Sequence, residues 1–205
     1  MSEVKCFEYG SKEIEYLKSK DKILGEFINK VGRIKREVIT DLFVALINSI
    51  VGQQISAKAH KTVWQRMNDR FVPFTANTIN EATLESIQEC GVSFKKAAYI
   101  KGIALSVINC SLDLKGLNNL EDDEVIKKLS SLNGIGKWTA EMLMVFSMQR
   151  PNIISYGDLA ILNGLKKLYH HKKITPGLFL KYKKRYSPYA TVASLYLWHI
   201  SSMND

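Results

Sequence analysis

Residues 132–140 read LNGIGKWTA, a short stretch with two glycines between two segments of helical pattern. Before it, apolar residues recur at Val125, Ile126, Leu129 and Leu132, and the acidic residues at 121–124 suit the positive N-terminal end of a helix. After it, residues 138–148 again have helical spacing. The sequence therefore predicts two helices, over 121–132 and 138–148, joined by a tight turn.

The two glycines make this turn a candidate helix-hairpin-helix motif that binds phosphate. Gly134 and Gly136 can adopt positive φ and leave no Cβ between the backbone and a ligand. The amides that follow lie at the N-terminus of the second helix, where unpaired N–H groups and the helix dipole favour an anion, and Lys137 adds a positive charge. Considered alone, the same residues are also compatible with an ordinary turn between two helices.

The composition indicates a basic globular protein. The chain of 205 residues is 46% hydrophobic, which allows a substantial core in one domain or two small lobes, and its formal net charge is +9. This charge favours a polyanionic partner, nucleic acid before an acidic membrane surface, although a solvated lysine surface is an equally valid reading. Because the sequence has no membrane-spanning apolar run and no signal-like N-terminus, we expect an intracellular protein that does not act at membranes.

The metal-binding residue types are scattered. The odd number and wide spacing of Cys6, Cys90 and Cys110 predict reduced thiols, with no disulfide framework and no zinc site. The four histidines also form no cluster in the sequence, so we expect none of them to bind metal: His60, His170, His171 and His199.

The remaining patterns are helical as well. We predict helices near 11–20, 41–50, 57–67, 80–90, 93–110, 158–168, 179–185 and 189–199, with Asp41 and Ser56 as N-caps. Since no apolar-polar alternation persists, the expected fold is all-α. We interpret Lys95, Lys96 and Lys101, on the helix 93–110, as a solvated face, with phosphate contact as the alternative.

The stretch 132–140, the polar loop with Pro151 and the Gly157-Asp158 pair that opens a new helix together resemble the helix-hairpin-helix DNA glycosylases, in particular the 3-methyladenine DNA glycosylase II branch. The resemblance runs from about residue 41 to residue 198. It implies one compact catalytic unit over 1–205, a two-lobed helical fold with the active site in the cleft between lobes. We place the lobes at 41–150 and at 1–40 plus 151–205, and expect no β-rich N-terminal domain of the kind some relatives carry.

Asp158 is the expected catalytic residue. On its own it is more simply explained as an N-cap that satisfies helix amides. The resemblance places it where the family has its essential aspartate. Breaking an N-glycosidic bond develops positive charge on the sugar, which an ionised carboxylate stabilises and which a water then traps.

Trp138 and Lys137 bear on the type of reaction. Branches of the family that also cleave the strand have a Schiff-base lysine where Trp138 stands, and Lys137 is one residue off, about 100° around the helix. We therefore expect a monofunctional enzyme. The resemblance implies a base pocket lined by Trp138 and Trp198, whose rings suit cationic alkylated purines such as 3-methyladenine and 7-methylguanine. Met142 replaces a third expected aromatic residue.

The resemblance also implies several DNA contacts. Gln54, in the turn 52–56, is the expected wedge that fills the gap left by the extruded base, with an exposed polar loop as the alternative. The expected phosphate contacts are Gly134, Gly136, Lys137 and Thr139. The backbone carbonyls of Ser130, Leu132 and Ile135 are expected to hold a monovalent or hydrated cation. We expect no required cofactor and, because clustered cysteines are absent, no iron–sulfur cluster.

The function that the sequence predicts is hydrolysis of the N-glycosidic bond of alkylated purines in double-stranded DNA by a monomer, leaving an abasic site in base excision repair. The first alternative is a non-catalytic helix-hairpin-helix module that senses DNA damage or shape, which would leave damaged duplex without alkali-labile sites. The second alternative is an RNA-binding protein, although the chain has no aromatic RNA-recognition signature.

Overall fold

The computed structural model describes residues 5–203, and these residues form an all-helical protein, as predicted. Within them no strand is found beyond an isolated antiparallel bridge between Cys6 and Glu37. None of the helices in this range is long and apolar enough to cross a lipid bilayer. The helices are α1 Ser11–Lys20, α2 Lys22–Val31, α3 Leu42–Gly52, α4 Ala57–Arg70, α5 Ala76–Glu81, α6 Leu84–Gln88, α7 Phe94–Ile108, α8 Asp122–Ser130, α9 Lys137–Phe146, α10 Leu159–Tyr169, α11 Pro176–Tyr186 and α12 Ala190–Ser202, with a 3₁₀ turn at Gly116–Asn119.

Side-chain caps decide where several helices begin. The predicted caps are present: the Asp41 side chain accepts from Val44 N, and Ser56 accepts from Ala59 N. The same short acceptor precedes α2, α7 and α11, at Asp21, Ser93 and Thr175. Each cap supplies a partner for a first-turn amide that has none within its helix.

The chain divides into two compact units, each with its own core. We call residues 39–143 the hairpin unit, and the described residues up to Val38 together with those from Met144 onwards the carboxylate unit. The divisions fall at 38/39 and 143/144, whereas the sequence placed them at 40/41 and 150/151. The first four and last two residues of the chain, which that prediction also covered, lie outside the described range.

The hairpin unit is built on α3, which packs on α4 and α7. Four of its apolar residues have no exposed surface: Leu46, Ile47, Ile50 and Val51. Helices α5 and α6 pack on α7 in turn. As a result α7 lies between the C-terminal end of α3 and the small helices α5 and α6.

The carboxylate unit is built on the pair α10 and α12, which has the most extensive packing of any two helices described. A Cβ atom added at Gly164, in α10, would overlap the backbone carbonyl of Leu197 in α12. Only glycine permits so close an approach of the two backbones. The residues from Ala190 to Leu197 are all buried, so α12 forms the centre of this unit.

Two sequence predictions are wrong in the hairpin unit. The single helix expected over 80–90 is two short helices, α5 and α6, because Thr75 and Thr83 each cap a new first turn. Lys96 and Lys101 are not a solvated face. Lys96 Nζ donates to Val51 O (3.0 Å) and Gln53 O (2.6 Å), and Lys101 Nζ donates to Asn80 O (2.9 Å) and Ala82 O. Both amines satisfy carbonyls at helix C-termini, the negative end of the helix dipole.

Candidate DNA-binding and active site

The predicted hairpin is formed by α8, the turn at 131–136 and α9. We call residues 131–136 the hairpin turn. Gly134 has positive φ (88°), and a Cβ at this position would stand 2.5 Å from Tyr99 Cδ2, so both the backbone and the space require glycine. Gly136 differs from the prediction because its φ is not positive. It has open space around its Cβ position, and its carbonyl accepts from Ala140 N (2.9 Å), the first hydrogen bond of α9.

The first turn of α9 presents groups suited to an anion. Gly136, Lys137 and Trp138 are all exposed, Trp138 at 49%, while Thr139 is half-buried. The first amides of a helix have no partner within it, and they point away from the helix along its dipole. Ile135 is 4% exposed and anchors the turn in the core. This arrangement suits a phosphate oxygen held against backbone N–H groups beside the Lys137 ammonium, and phosphate binding at the hairpin stays a prediction.

The turn expected to carry the wedge has an unusual backbone. We call residues 52–55 the wedge turn. Gln54 has φ 57°, in the left-handed region, and it is exposed, as is Ile55 that follows it. The side chain of Gln53 does not point to solvent: its Nε2 donates to Gly134 O at 2.7 Å. This bond joins the wedge turn to the hairpin turn, which no sequence signal indicated.

Asp158 is the N-cap of α10 and is 6% exposed. Its Oδ1 accepts from Ala160 N (2.9 Å) and Ile161 N (3.1 Å), so the capping role is present. Its Oδ2 accepts from Trp198 Nε1 (3.2 Å). The cap uses one carboxylate oxygen and leaves the other directed toward an aromatic residue. A capping role and the predicted catalytic role are therefore compatible in one side chain.

The structure brings Trp198 and Asp158 together, and adds Phe146, which sequence reasoning missed. The rings of Phe146 and Trp198 have centroids 5.3 Å apart at 34°. The Arg36 guanidinium lies over the Phe146 ring, 5.5 Å from its centroid. Next to Asp158 on the chain, Leu159 is 76% exposed. Trp138 and Met142 belong to the hairpin unit, where Met142 is half-buried.

The carbonyls expected to hold a cation lie along the hairpin: Ser130 ends α8, and Leu132 and Ile135 lie in the turn before α9. Leu132 O accepts from Ile135 N (3.0 Å), and a carbonyl oxygen with one such bond retains a second lone pair. Ser130 is the last residue of α8, where carbonyls lack helical partners and the dipole is negative. These oxygens fit a cation of low charge, and the site stays a prediction. Within residues 5–203, no group of three His, Cys, Asp or Glu side chains is arranged to hold a metal ion.

The all-helical fold and the hairpin define a helix-hairpin-helix DNA-binding protein. Its second feature is the Asp158 carboxylate, held beside the Trp198 ring. The comparison with protein families agrees. Residues 47–186 match the HhH-GPD superfamily of base excision DNA repair proteins, and the chain belongs to this superfamily.

Matches to known proteins and solved structures show how far the similarity extends. DNA-3-methyladenine glycosylase 1 of Schizosaccharomyces pombe is 32% identical over 166 residues, covering 78% of this chain and 72% of that protein. The DNA-3-methyladenine glycosidase of Bacillus halodurans matches with a TM-score of 0.88 and 32% identity over 97% of this chain and 93% of that one. A 3-methyladenine DNA glycosylase of S. pombe, solved in complex with abasic DNA, matches with a TM-score of 0.73 and 28% identity over 94% and 98% of the two chains.

Proposed function

We propose that this protein is a monofunctional DNA glycosylase that removes alkylated purines of the 3-methyladenine and 7-methylguanine type from duplex DNA and leaves an abasic site. The observation that carries the proposal is the Asp158 carboxylate, which is buried, fixed by two amides through one oxygen, and bonded to the Trp198 indole through the other. The names of the similar proteins support the same substrate class.

The chemistry follows from what each group can supply once the damaged nucleotide is extruded from the helix. As the N-glycosidic bond breaks, positive charge develops on the sugar, and the negative charge of Asp158 stabilises it. Because the amides and the indole already fix the carboxylate, it needs no rearrangement at that step. The same carboxylate can orient the water that attacks the sugar carbon.

The aromatic residues favour alkylated purines. Methylation at N3 of adenine or N7 of guanine gives the base a positive charge, which an electron-rich ring attracts through a cation–π interaction. Trp198, which packs against the tilted ring of Phe146, offers such a ring beside the carboxylate. The charged base is also a better leaving group than the undamaged base. The proposed selectivity therefore has two sources, the binding of the cation and the weakness of its glycosidic bond.

The proposal excludes strand cleavage by a Schiff base. Trp138 stands where strand-cleaving relatives have a lysine, and Lys137 lies one residue away, about 100° around α9. We propose that Lys137 contacts phosphate and that the enzyme acts as a monomer inside the cell on DNA containing alkylated bases.

The decisive experiment measures bases released from methylated duplex DNA by chromatography and examines the DNA with and without alkali. Wild type should release 3-methyladenine and 7-methylguanine, and strands should break only after alkali. Asp158→Asn should bind DNA normally but release bases at least about 100-fold more slowly, because the amide can still cap α10 but carries no negative charge.

Asp41→Asn is the matched control, since Asp41 caps α3 through the same kind of bond, Oδ1 to Val44 N at 3.0 Å. It should leave base release unchanged. Tight binding of methylated duplex with no base release by wild type would favour the non-catalytic module. A rate for Asp158→Asn within about tenfold of wild type would mean that Asp158 is not the catalytic group.

A further inference from the structure

The wedge turn and the hairpin turn are held by one face of α7. Lys96 and Tyr99 are three residues apart on this helix, so their side chains project on the same side. Lys96 bonds two carbonyls, one at the end of α3 and one in the wedge turn, at 3.0 and 2.6 Å. Tyr99 packs on Gly134 of the hairpin turn so closely that no Cβ is tolerated there.

The wedge turn needs such support because of its backbone. Gln54 has φ 57°, a conformation that residues with a Cβ adopt rarely and keep only where neighbouring groups impose it. The carbonyl immediately before it, Gln53 O, is one of the two that Lys96 binds. The Lys96 side chain is half-buried where it makes these bonds, and this burial lowers the pKa of its ammonium.

A second link joins the two turns directly. Gln53 Nε2 donates to Gly134 O at 2.7 Å, so the residue before the wedge is tied to the hairpin glycine with positive φ. Lys96, Gln53 and Tyr99 therefore form one network within the hairpin unit, which we call the brace.

We propose that Lys96 and Gln53 are positioning residues that lock the wedge turn to the hairpin turn, so that gripping a phosphate also places Gln54 for insertion into the duplex. This inference rests on the proposed glycosylase function and extends it to the extrusion step. Without the brace, the left-handed turn at Gln54 relaxes. The free energy needed to order this turn is then added to the cost of extruding each nucleotide. The chemistry at Asp158 is unaffected.

The chain offers a matched control for the simpler role of a helix cap. Lys101 also lies on α7 and also binds two carbonyls, those of Asn80 and Ala82, but at the end of α5. Lys95 controls for the loss of a positive charge next to the brace, because it is exposed and its ammonium faces the Tyr99 ring, 5.8 Å from the centroid, rather than a backbone carbonyl. Lys96→Met, Lys101→Met and Lys95→Met each remove one charge and keep an apolar stem.

The test separates extrusion from chemistry. 2-Aminopurine placed next to the lesion reports extrusion by fluorescence, and base release is measured for a lesion that is fully paired and for one opposite a mismatch, which costs less to extrude. Lys96→Met should lower the fluorescence change and the rate on paired DNA by about tenfold, while its rate on mismatched DNA stays within about threefold of wild type. Lys101→Met and Lys95→Met should change the fluorescence and both rates by no more than about twofold.

Gln53→Met repeats the test if Lys96→Met does not fold, since it keeps the length of the side chain and removes the bond to Gly134 O. An equal loss on paired and mismatched DNA, or the same loss in Lys101→Met, would overturn the proposal. If wild type released no base, the proposed function would fail. The fluorescence signal, which needs no bond cleavage, would still decide whether Lys96 positions the wedge.

Discussion

The two carboxylate oxygens of Asp158 have different partners. The oxygen that caps α10 is held by two amides, and the other oxygen receives the indole N–H of Trp198. The carboxylate thus has a defined orientation before any substrate is present. Trp198 in turn is held by its ring contact with Phe146, so the pair forms one rigid arrangement within the carboxylate unit.

Two substitutions of Trp198 distinguish the contribution of its aromatic ring from that of its N–H group. Trp198→Phe keeps an aromatic face and removes the donor to Asp158, so base release should fall by about tenfold, the effect of one hydrogen bond to a charged group. Trp198→Ala also removes the face, and should abolish the preference for 7-methylguanine over guanine while affinity for undamaged duplex is unchanged. Chromatography and fluorescence anisotropy measure the two effects. Trp64→Phe, which alters a half-buried tryptophan on α4, is the control.

Sequence reasoning singled out Asp158 and Trp198, which the structure joins by a hydrogen bond, but it missed Phe146 beside Trp198 and, in the hairpin unit, the contacts of Lys96 and Gln53. The capping position of Asp158 could be predicted because the start of α10 is visible in the sequence, and its catalytic role stays a prediction. Phe146, Lys96 and Gln53 could not, because their importance depends on which neighbours the fold brings to them. Lysines on one helix, such as Lys95 and Lys96, look equivalent in sequence, and only packing separates the one that binds carbonyls from the one that lies on a ring.

The hairpin as an element offers a sharp contrast between its two glycines. Gly134 is required by the fold, whereas Gly136 has open space around it. Gly136→Asp should therefore fold normally, and aspartate directly before α9 is a favourable cap. The new carboxylate would occupy the first-turn amides itself and repel phosphate. Affinity for damaged and undamaged duplex should fall alike, by at least about tenfold, as anisotropy titration would show.

Lys137→Ala should act more gently in the same assay. It should reduce the slope of log K against log salt by about 0.9, the value for one phosphate contact. Lys127→Ala, in the last turn of α8, provides a control for net charge. Unchanged affinity and salt dependence in a folded Gly136→Asp variant would show that the hairpin is an ordinary turn.

Helix prediction succeeded where caps and apolar spacing agree. The ends of α1, α3 and α7 lie within about two residues of the sequence expectation, within the ordinary uncertainty of helix boundaries. The prediction failed between residues 76 and 88, because the two short helices there have too few turns for the helical spacing of apolar residues to be recognised. It also failed at Gly136, since a glycine's freedom to adopt positive φ does not decide whether it does so.

For the molecule as a whole, buried tyrosines predict a loss of stability in alkali. Burial raises the pKa of Tyr186 and of Tyr196 well above the ordinary value near 10, and both rings have no exposed surface. Because the folded state holds these protons more tightly, their contribution is fully present below pH 10 and is lost as the pH rises further. Urea unfolding should give a constant free energy of unfolding up to about pH 9, then a decline of up to about 1.4 kcal/mol per pH unit for each such tyrosine.

Tyr186→Phe should make that decline shallower while lowering stability near pH 7, since it removes the bond between the Tyr186 and Tyr169 hydroxyls (2.7 Å). Tyr156→Phe, at an exposed tyrosine, should leave the decline unchanged. A decline of the same steepness in Tyr186→Phe and wild type would assign the alkaline loss to other groups.

The all-α fold could be predicted from periodicity, and the basic charge pointed to nucleic acid, but the division into units could not be placed to the residue. One boundary falls inside α9, between Leu143 and Met144, where helical spacing continues without a break. The boundary shows only in the contacts that the two ends of α9 make, and these contacts depend on residues far away in the sequence.

The contact between Gly164 and the Leu197 carbonyl has a consequence for how such an enzyme can diversify. Leu197 directly precedes Trp198, and Gly164 lies on the helix that Asp158 caps, so a meeting of two backbones sets the distance between acid and indole. Since no residue is smaller than glycine, no substitution at position 164 can bring the backbones of α10 and α12 closer together. Substitutions elsewhere can exchange the rings near Trp198, whereas any larger residue at position 164 would push α10, which Asp158 caps, away from α12.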